Sequence, residues 1–229
     1  MCKSKGKGTD LKNRINGWII GSKICLPFLV VGFLILLIGW TKTNFLFATI
    51  GIVALLVGVF ILMFFRDFPR KISAQKYEFV SPADGKIVEL QTMEDCEIYG
   101  GRCKKVAIFM SIFNAHINRS PFRGVVKKIV YKKGKFFNAM KPDASVENES
   151  NTIWLETDKG TIVVKQIAGL VARRIVCNVS EGEYLDIGEK FGMIKFGSRV
   201  ELFLPPEIEF YVKLNDKVYA GITILGRFL

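Results

Sequence analysis

Residues Glu181 to Gly188 read EGEYLDIG, and Leu214 to Gly221 read LNDKVYAG. Both fit the pattern x-[Gly/Asn]-acid-x-apolar-x-x-Gly, in which Gly or Asn supplies a positive φ and the apolar positions turn inward. A pattern that recurs in this way describes a turn running into a short strand. The surroundings agree. Val106–Ile112 (VAIFMSI), Ile153–Glu156, Thr161–Ile167 and Ile175–Val179 are rich in β-branched and aromatic residues, with Gly, Pro, Asn or Asp between them. Asp158-Lys159-Gly160 reads as a hairpin turn joining the second and third of these runs. From Tyr77 onward the chain is therefore expected to be mostly strand, with few helices.

Each repeat resembles the turn and strand of a lipoyl- or biotinyl-type β-sandwich, and Ser81-Pro82-Ala83-Asp84-Gly85 before Lys86-Ile87-Val88 has the same character. The expected fold class is mainly β (α+β): a barrel-like β-sandwich with lipoyl/biotinyl-like hairpins, preceded by a transmembrane helical hairpin.

The hairpin is read from two runs, Ile24–Trp40 and Phe45–Phe65, neither of which holds a charged side chain. A membrane span needs about 20 apolar residues. The second run meets that length, and Gly17–Ile20 can extend the first, with Lys23 snorkelling to the headgroups. Only Thr41–Asn44 separate the runs, so both flanks fall on one side. Lys3, Lys5, Lys7, Lys12, Arg14 and Lys23 precede the pair and Arg66, Arg70 and Lys71 follow it, against Lys42 alone in the connection. The positive-inside bias then puts the N-terminus and everything after Phe65 on the cytoplasmic face of the cell membrane. A cleaved signal peptide would carry a single apolar core of about 7 to 15 residues. A soluble helix pair would not be apolar on every face. The expected division is a basic segment 1–23, a two-helix membrane hairpin 24–65 and a strand-rich domain 66–229.

The chain of 229 residues carries a formal charge of +12. Part of the excess lies beside the membrane runs and part at Lys127-Lys128 and Lys132-Lys133. With a membrane hairpin attached, anionic lipid is the economical partner. No recognition helix or RNA-binding aromatic signature points to nucleic acid. Five cysteines without a CxxC pair (Cys2, Cys25, Cys96, Cys103 and Cys177) fit reduced thiols rather than a disulfide framework or a zinc site, and no metal is expected.

The single histidine, His116, lies in FMSIFNAHINRSP just after a buried-looking strand, and is the best proton carrier available near neutral pH. A lone histidine is more often structural. Asp84 taken alone reads as a turn residue, and so does Ser198 in Lys195-Phe196-Gly197-Ser198-Arg199-Val200.

Taken together, SPADG, FMSIFNAHINRSP and FGSRVELFLP, in this order behind FFRDFPR, resemble the phosphatidylserine decarboxylase family, specifically its short subfamily that includes archaetidylserine decarboxylase proenzymes. The similarity covers roughly 64–229. It implies that the Gly197–Ser198 peptide is cut by the proenzyme itself, giving a β chain 1–197 and an α chain 198–229 that stay together as a heterodimer. Ser198 would attack the Gly197 carbonyl, and the ester would leave by β-elimination. Hydrolysis of the resulting dehydroalanine would leave a covalent pyruvoyl group as the cofactor.

The resemblance further implies a catalytic triad. His116 is the base that activates Ser198 and later the proton donor, and Asp84 orients the imidazole. The substrate is a serine phospholipid whose amine forms a Schiff base with the pyruvoyl carbonyl, which then draws electrons as CO2 leaves. Longer members carry a second histidine where this chain has Phe113, and their cleavage motif is Leu-Gly-Ser-Thr. For the lipid phosphate or carboxylate the residues offer Arg119 and Arg123, each of which also reads as solvated charge. Phe136 and Phe137 either reach toward the membrane or belong to the core. Ester-linked and ether-linked lipids, and a monomer and a homo-oligomer, are not told apart by sequence. A non-enzymatic, membrane-anchored lipoyl-like adaptor would explain the repeat and the anchor but not His116 or the Gly-Ser step. A serine hydrolase lacks a GxSxG elbow.

Overall fold

The computed structural model describes residues 16–140, 143–170, 174–195 and 197–229. Most of the basic segment, Cys2 and Phe196 lie outside the described residues. The chain divides into two compact units, 16–68 and 69–229, each described by itself.

The first unit is a pair of helices, α1 (Gly17–Thr41) and α2 (Phe45–Phe64), both long and apolar enough to cross a membrane. Asn16 and Asn44 cap them, each accepting from a backbone N–H three residues on. Apart from Ser22, Lys23, Thr41 and Thr49 their outward faces are apolar, and the buried positions include the glycines Gly21, Gly32 and Gly39 on α1 and Gly51 and Gly58 on α2. A Cβ on Gly39 would strike the Ala48 backbone, and one on Gly51 would stand 2.6 Å from Leu36 N. Lipid tails are as apolar as leucine, so such helices associate through close backbone approach rather than hydrophobic burial. Asp67 ties the exit to the entry, accepting from Gly17 N at 3.3 Å and, through its carbonyl, from Trp18 Nε1 at 2.7 Å.

The second unit is mainly β, as the composition after Tyr77 requires. Among the described residues its strands are β1 (Glu78–Val80), β2 (Gly85–Cys96), β3 (Gly101–Met110), β4 (Ile117–Arg119), β5 (Gly124–Lys132), β6 (Ser150–Thr157), β7 (Gly160–Ile167), β8 (Ile175–Cys177), β9 (Tyr184–Leu185), β10 (Lys190–Ile194), β11 (Ser198–Leu204), β12 (Ile208–Phe210), β13 (Lys217–Val218) and β14 (Ile224–Phe228), with one short helix, α3 (Ala144–Glu147). The main sheet is curled and runs β13-β2-β3-β11-β7-β6-β5-β9, every pairing antiparallel. Two three-stranded sheets, β1-β14-β12 and β4-β10-β8, complete the unit. Ile87, Ile108, Phe122, Val164, Val200, Leu202 and Leu225 are among the fully buried side chains of the common core.

The β6–β7 hairpin turns at Asp158-Lys159 with Gly160 at φ +100, as its sequence predicts. The two repeats adopt matching backbones. Gly182 and Asn215 both have positive φ, Gly188 and Gly221 both have φ +73, and the apolar positions enter β9 and β13. Glu183 and Asp216 play the same part, their carboxylates accepting from Ser180 N and Lys213 N. The repeats end against each other. A Cβ on Gly221 would lie 3.7 Å from Gly188 Cα.

Two long strands exceed the sequence expectation, β2 and β5, because much of each faces solvent and carries Glu, Gln, Lys and Tyr in place of an apolar run. Phe136 packs against the core and Phe137 is exposed. Lys127 pairs with Glu156 and Lys128 sits over the Trp154 ring.

Candidate active site

β2, β3 and β11 lie side by side in the main sheet, and their ends coincide. Lys86 faces Phe109, Phe109 faces Arg199, and Met110 faces Ser198. The segments that leave the sheet at this end are therefore Asp84-Gly85, the 111–116 loop and Gly197. Three motifs far apart in sequence meet because antiparallel pairing brings the start of β2 and β11 to the end of β3.

Ser198 is the first residue of β11 and is fully buried, its Oγ without a hydrogen-bond partner among the described residues. By strand alternation it shares the core face with Val200, Leu202 and Leu204. A buried hydroxyl that forgoes hydrogen bonding costs about 1–3 kcal/mol. Gly197 has φ +56, the left-handed region that a Cβ disfavours, although open space surrounds the position where that Cβ would stand. The glycine is demanded by backbone conformation, not by crowding.

His116 is 1% exposed. Its Nδ1 is 2.8 Å from the Asn114 carbonyl, which can only accept, so Nδ1 carries the proton and Nε2 keeps its lone pair in the neutral ring. That carbonyl is held in place by a tight turn. Ser111 N and Oγ both donate to Asn114 Oδ1 at 2.9 and 2.8 Å, and Asn114 N donates to Ser111 O. Ile194 N donates to His116 O, linking the histidine backbone to the strand that leads into Gly197. Farther along β4, a buried amide chain runs Asn151 Nδ2 to Gln166 Oε1 (3.0 Å) and Gln166 Nε2 to Asn118 Oδ1 (2.8 Å), pinning β4 to the main sheet. Asn114, Ser111 and Asn118 lie inside the histidine motif, but single-sequence reading gave no reason to separate them from ordinary loop polars.

Asp84 is buried. Arg70 donates to both its carboxylate oxygens at 2.8 and 2.7 Å, and Ala220 N donates to Oδ1 at 2.7 Å. Arg70 comes from FFRDFPR, so the motif that follows the apolar helices supplies the cation that meets Asp84 in a forked contact. The same Arg70 donates to Ala220 O, beside the second repeat.

The other face of β11 is charged. Arg199 and Glu201 are 1% and 0% exposed and form a cluster with Glu89 and Lys105. Ser145 Oγ and Lys105 both donate to Glu201. Burial alone would raise the Glu201 carboxyl, but Lys105 and Arg199 outweigh it and hold the group below the ordinary carboxylate range. Lys165, whose Nζ donates to Ser145 O, is pushed down by burial.

Arg119 is buried and donates to Gly188 O at 2.9 Å, which places its guanidinium against the first repeat. The Arg123 guanidinium lies over the Phe122 ring, with Nε buried and unbonded among the described residues. Upstream of Gly197, burial and then the Arg174 charge push Lys195 below the ordinary lysine value. Phe113, in the loop before His116, is 72% exposed. Cys25, Cys96, Cys103 and Cys177 are free thiols.

A sequence profile described as phosphatidylserine decarboxylase matches residues 57–226. A phosphatidylserine decarboxylase proenzyme of Magnetococcus marinus is 42% identical over 199 residues, spanning 85% of this chain and 91% of the relative. One of Nitrosomonas europaea is 45% identical over 174 residues, 76% of this chain and 80% of the relative. One of Burkholderia ambifaria is 46% identical over 174 residues, 75% of this chain and 80% of the relative.

Proposed function

This chain belongs to the phosphatidylserine decarboxylase family, carboxy-lyases, and we propose that it matures by cutting its own Gly197–Ser198 peptide and then decarboxylates a membrane serine phospholipid to the ethanolamine lipid. The observation that carries this reading is the Gly197–Ser198 step: a left-handed glycine joined to a buried serine whose hydroxyl has no partner among the described residues. An ordinary turn serine would be wet or bonded to its own backbone.

In the first step His116 Nε2 takes the Ser198 Oγ proton while Oγ adds to the Gly197 carbonyl carbon. The C–N bond then breaks, and the histidine returns the proton to the departing nitrogen, leaving an ester and a free Ser198 amine. In the second, the residue 198 Cα proton is removed and the Cβ–O bond breaks, so Gly197 leaves as a carboxylate and position 198 becomes dehydroalanine. Water then replaces its nitrogen, which departs as ammonia. The fit of position 198 to such a group rests on its burial in the sheet and its orphaned oxygen.

A pyruvoyl group there would supply a carbonyl for the substrate amine and an electron sink for the loss of CO2. The rest falls to side chains of the chain. His116, held in one tautomer by Asn114, delivers a proton to the substrate carbon. Asp84, fixed by Arg70, contributes negative charge at the same sheet end. Arg123 and Arg119 are the candidates for the lipid phosphate, and Arg119 also holds Gly188 O. The apolar helices associate with the membrane, and the positive charges flanking them orient residues 66–229 to the cytoplasmic face. Phosphatidyl and archaetidyl lipids share the reacting headgroup, so the same chemistry serves either, and assaying both lipid serines with one preparation tells them apart.

The two products stay together because β11 pairs with β3 on one side and β7 on the other, while β14 of the α chain pairs with β1 of the β chain. Intact mass of purified protein tests the reading. We expect two chains split at Gly197–Ser198, with the smaller blocked at its terminus and reactive toward carbonyl reagents. Ser198→Ala should remain one inactive chain. A folded wild-type chain that stays continuous would overturn the proposal.

A further inference from the structure

The carbonyl that Ser198 must attack is seated on a residue that no motif singled out. A Cβ built on Gly169 would collide with the Gly197 carbonyl oxygen, and would stand 3.0 Å from the Gly197 carbonyl carbon and 3.3 Å from Ala139 Cβ. The clash is with the oxygen before the carbon, so Gly169 Cα closes off the oxygen's end of the bond. φ at Gly169 lies outside the left-handed region, so conformation does not explain a glycine there. Space does.

The seat is itself held firmly. Gly169 follows Ala168, whose N–H donates to Glu149 O and whose carbonyl accepts from the fully buried Asn148 side chain at 2.8 Å. Asn148 Nδ2 also donates to Phe137 O, and its Oδ1 accepts from Phe137 N, closing a clamp between the 137–148 segment and the end of β7.

We propose that Gly169 is a positioning residue for self-cleavage, its bare Cα forming the seat that fixes the Gly197 carbonyl oxygen so that the carbon faces Ser198 Oγ. The inference rests on the cleavage reading above. In the step it serves, the Oγ–C bond forms, the C–N bond breaks, and the Oγ proton passes through His116 to the nitrogen. The oxygen stays on its carbon throughout, gaining charge as the centre becomes tetrahedral and losing it as the nitrogen leaves. An added methyl would tilt that oxygen and turn the carbon off the line of attack, and misplacement of about 1 Å can cost on the order of 100-fold in rate.

The experiment follows maturation of full-length Gly169→Ala by intact mass over time, beside wild type and the uncleavable Ser198→Ala chain. We expect Gly169→Ala to cut at least 100-fold more slowly than wild type while melting within a few degrees of Ser198→Ala. Hydroxylamine, which releases a fragment wherever an ester has formed at Gly197, should release none, because the block precedes the ester. The double variant Gly169→Ala/Ala139→Gly removes the neighbour at 3.3 Å and relieves general overpacking; it should stay uncut, and it serves as the same test should the single variant not fold. Cutting at the wild-type rate by either variant, or hydroxylamine-released fragment from the single variant, overturns the seat. An uncut wild type would instead overturn the cleavage reading itself.

Discussion

The two faces of β11 do opposite work with adjacent residues. Its core face begins with Ser198 and continues through Val200, Leu202 and Leu204, apolar neighbours that leave the serine oxygen unbonded among the described residues. Its other face begins with Arg199 and continues through Glu201, where every charge has a partner. One face keeps the proposed nucleophile under-satisfied; the other grips the same strand with ion pairs that would hold it after the proposed cut before its first residue. Strand alternation makes both possible within a single turn of the pleat.

Breaking the reactive face gives the largest expected effect. His116→Ala removes the proposed base, and maturation should slow by about 100- to 10,000-fold, read as the half-time of the two-chain product by mass. Processing at the wild-type rate would take His116 out of that role. Next comes the gripping face. Glu201→Gln removes the fully buried counter-charge that Arg199 and Lys105 share and leaves both on Glu89 alone, and the unfolding free energy in urea should fall, by less than the about 3–5 kcal/mol of a wholly unpaired buried charge.

The acid response of the same residue sharpens the contrast. Because the folded state holds the Glu201 carboxyl below its ordinary value, its contribution is fully present above the unfolded pKa of about 4.3 and is lost as pH falls through the lower folded value. The urea midpoint of the wild type should therefore drop more steeply between pH 5 and the acid limit than that of Glu201→Gln. Parallel curves would mean that Glu201 is not the group responsible. At the small end, Lys127→Ala breaks an ion pair whose partners are both more than half exposed, and should change stability by less than about 1 kcal/mol with no change in maturation.

Much of this was legible because local chemistry demanded particular residues. The Asp158-Lys159-Gly160 turn and the repeated Gly182/Asn215 openings appear where their sequences put them, since a positive φ selects Gly or Asn before any tertiary contact forms. The apolar runs gave α1 and α2 for a similar reason, though α1 begins at Gly17. β2 and β5 were less legible, since half-exposed strands carry polar residues that blur period two. At the site, Ser198, His116 and Asp84 stood out as a set only through family resemblance. Arg70 and Asn114 were inside quoted motifs yet unassigned, because what they do depends on partners distant in sequence or on a carbonyl's direction.

By itself, then, the sequence determined two lipid-compatible helices, a strand-rich remainder, its turn positions and the Gly197–Ser198 step, all of which follow from side-chain chemistry acting over a few residues. Only the tertiary structure decided that Arg70 grips Asp84, that Asn114 selects the histidine tautomer, and that the Gly197 oxygen rests on Gly169. Two of these join separate segments, Arg70 to Asp84 and Gly169 to Gly197, and the third depends on the direction in which a loop carbonyl points. The geometry of the two long-range contacts follows from how the strands pair, which no short stretch of chain contains.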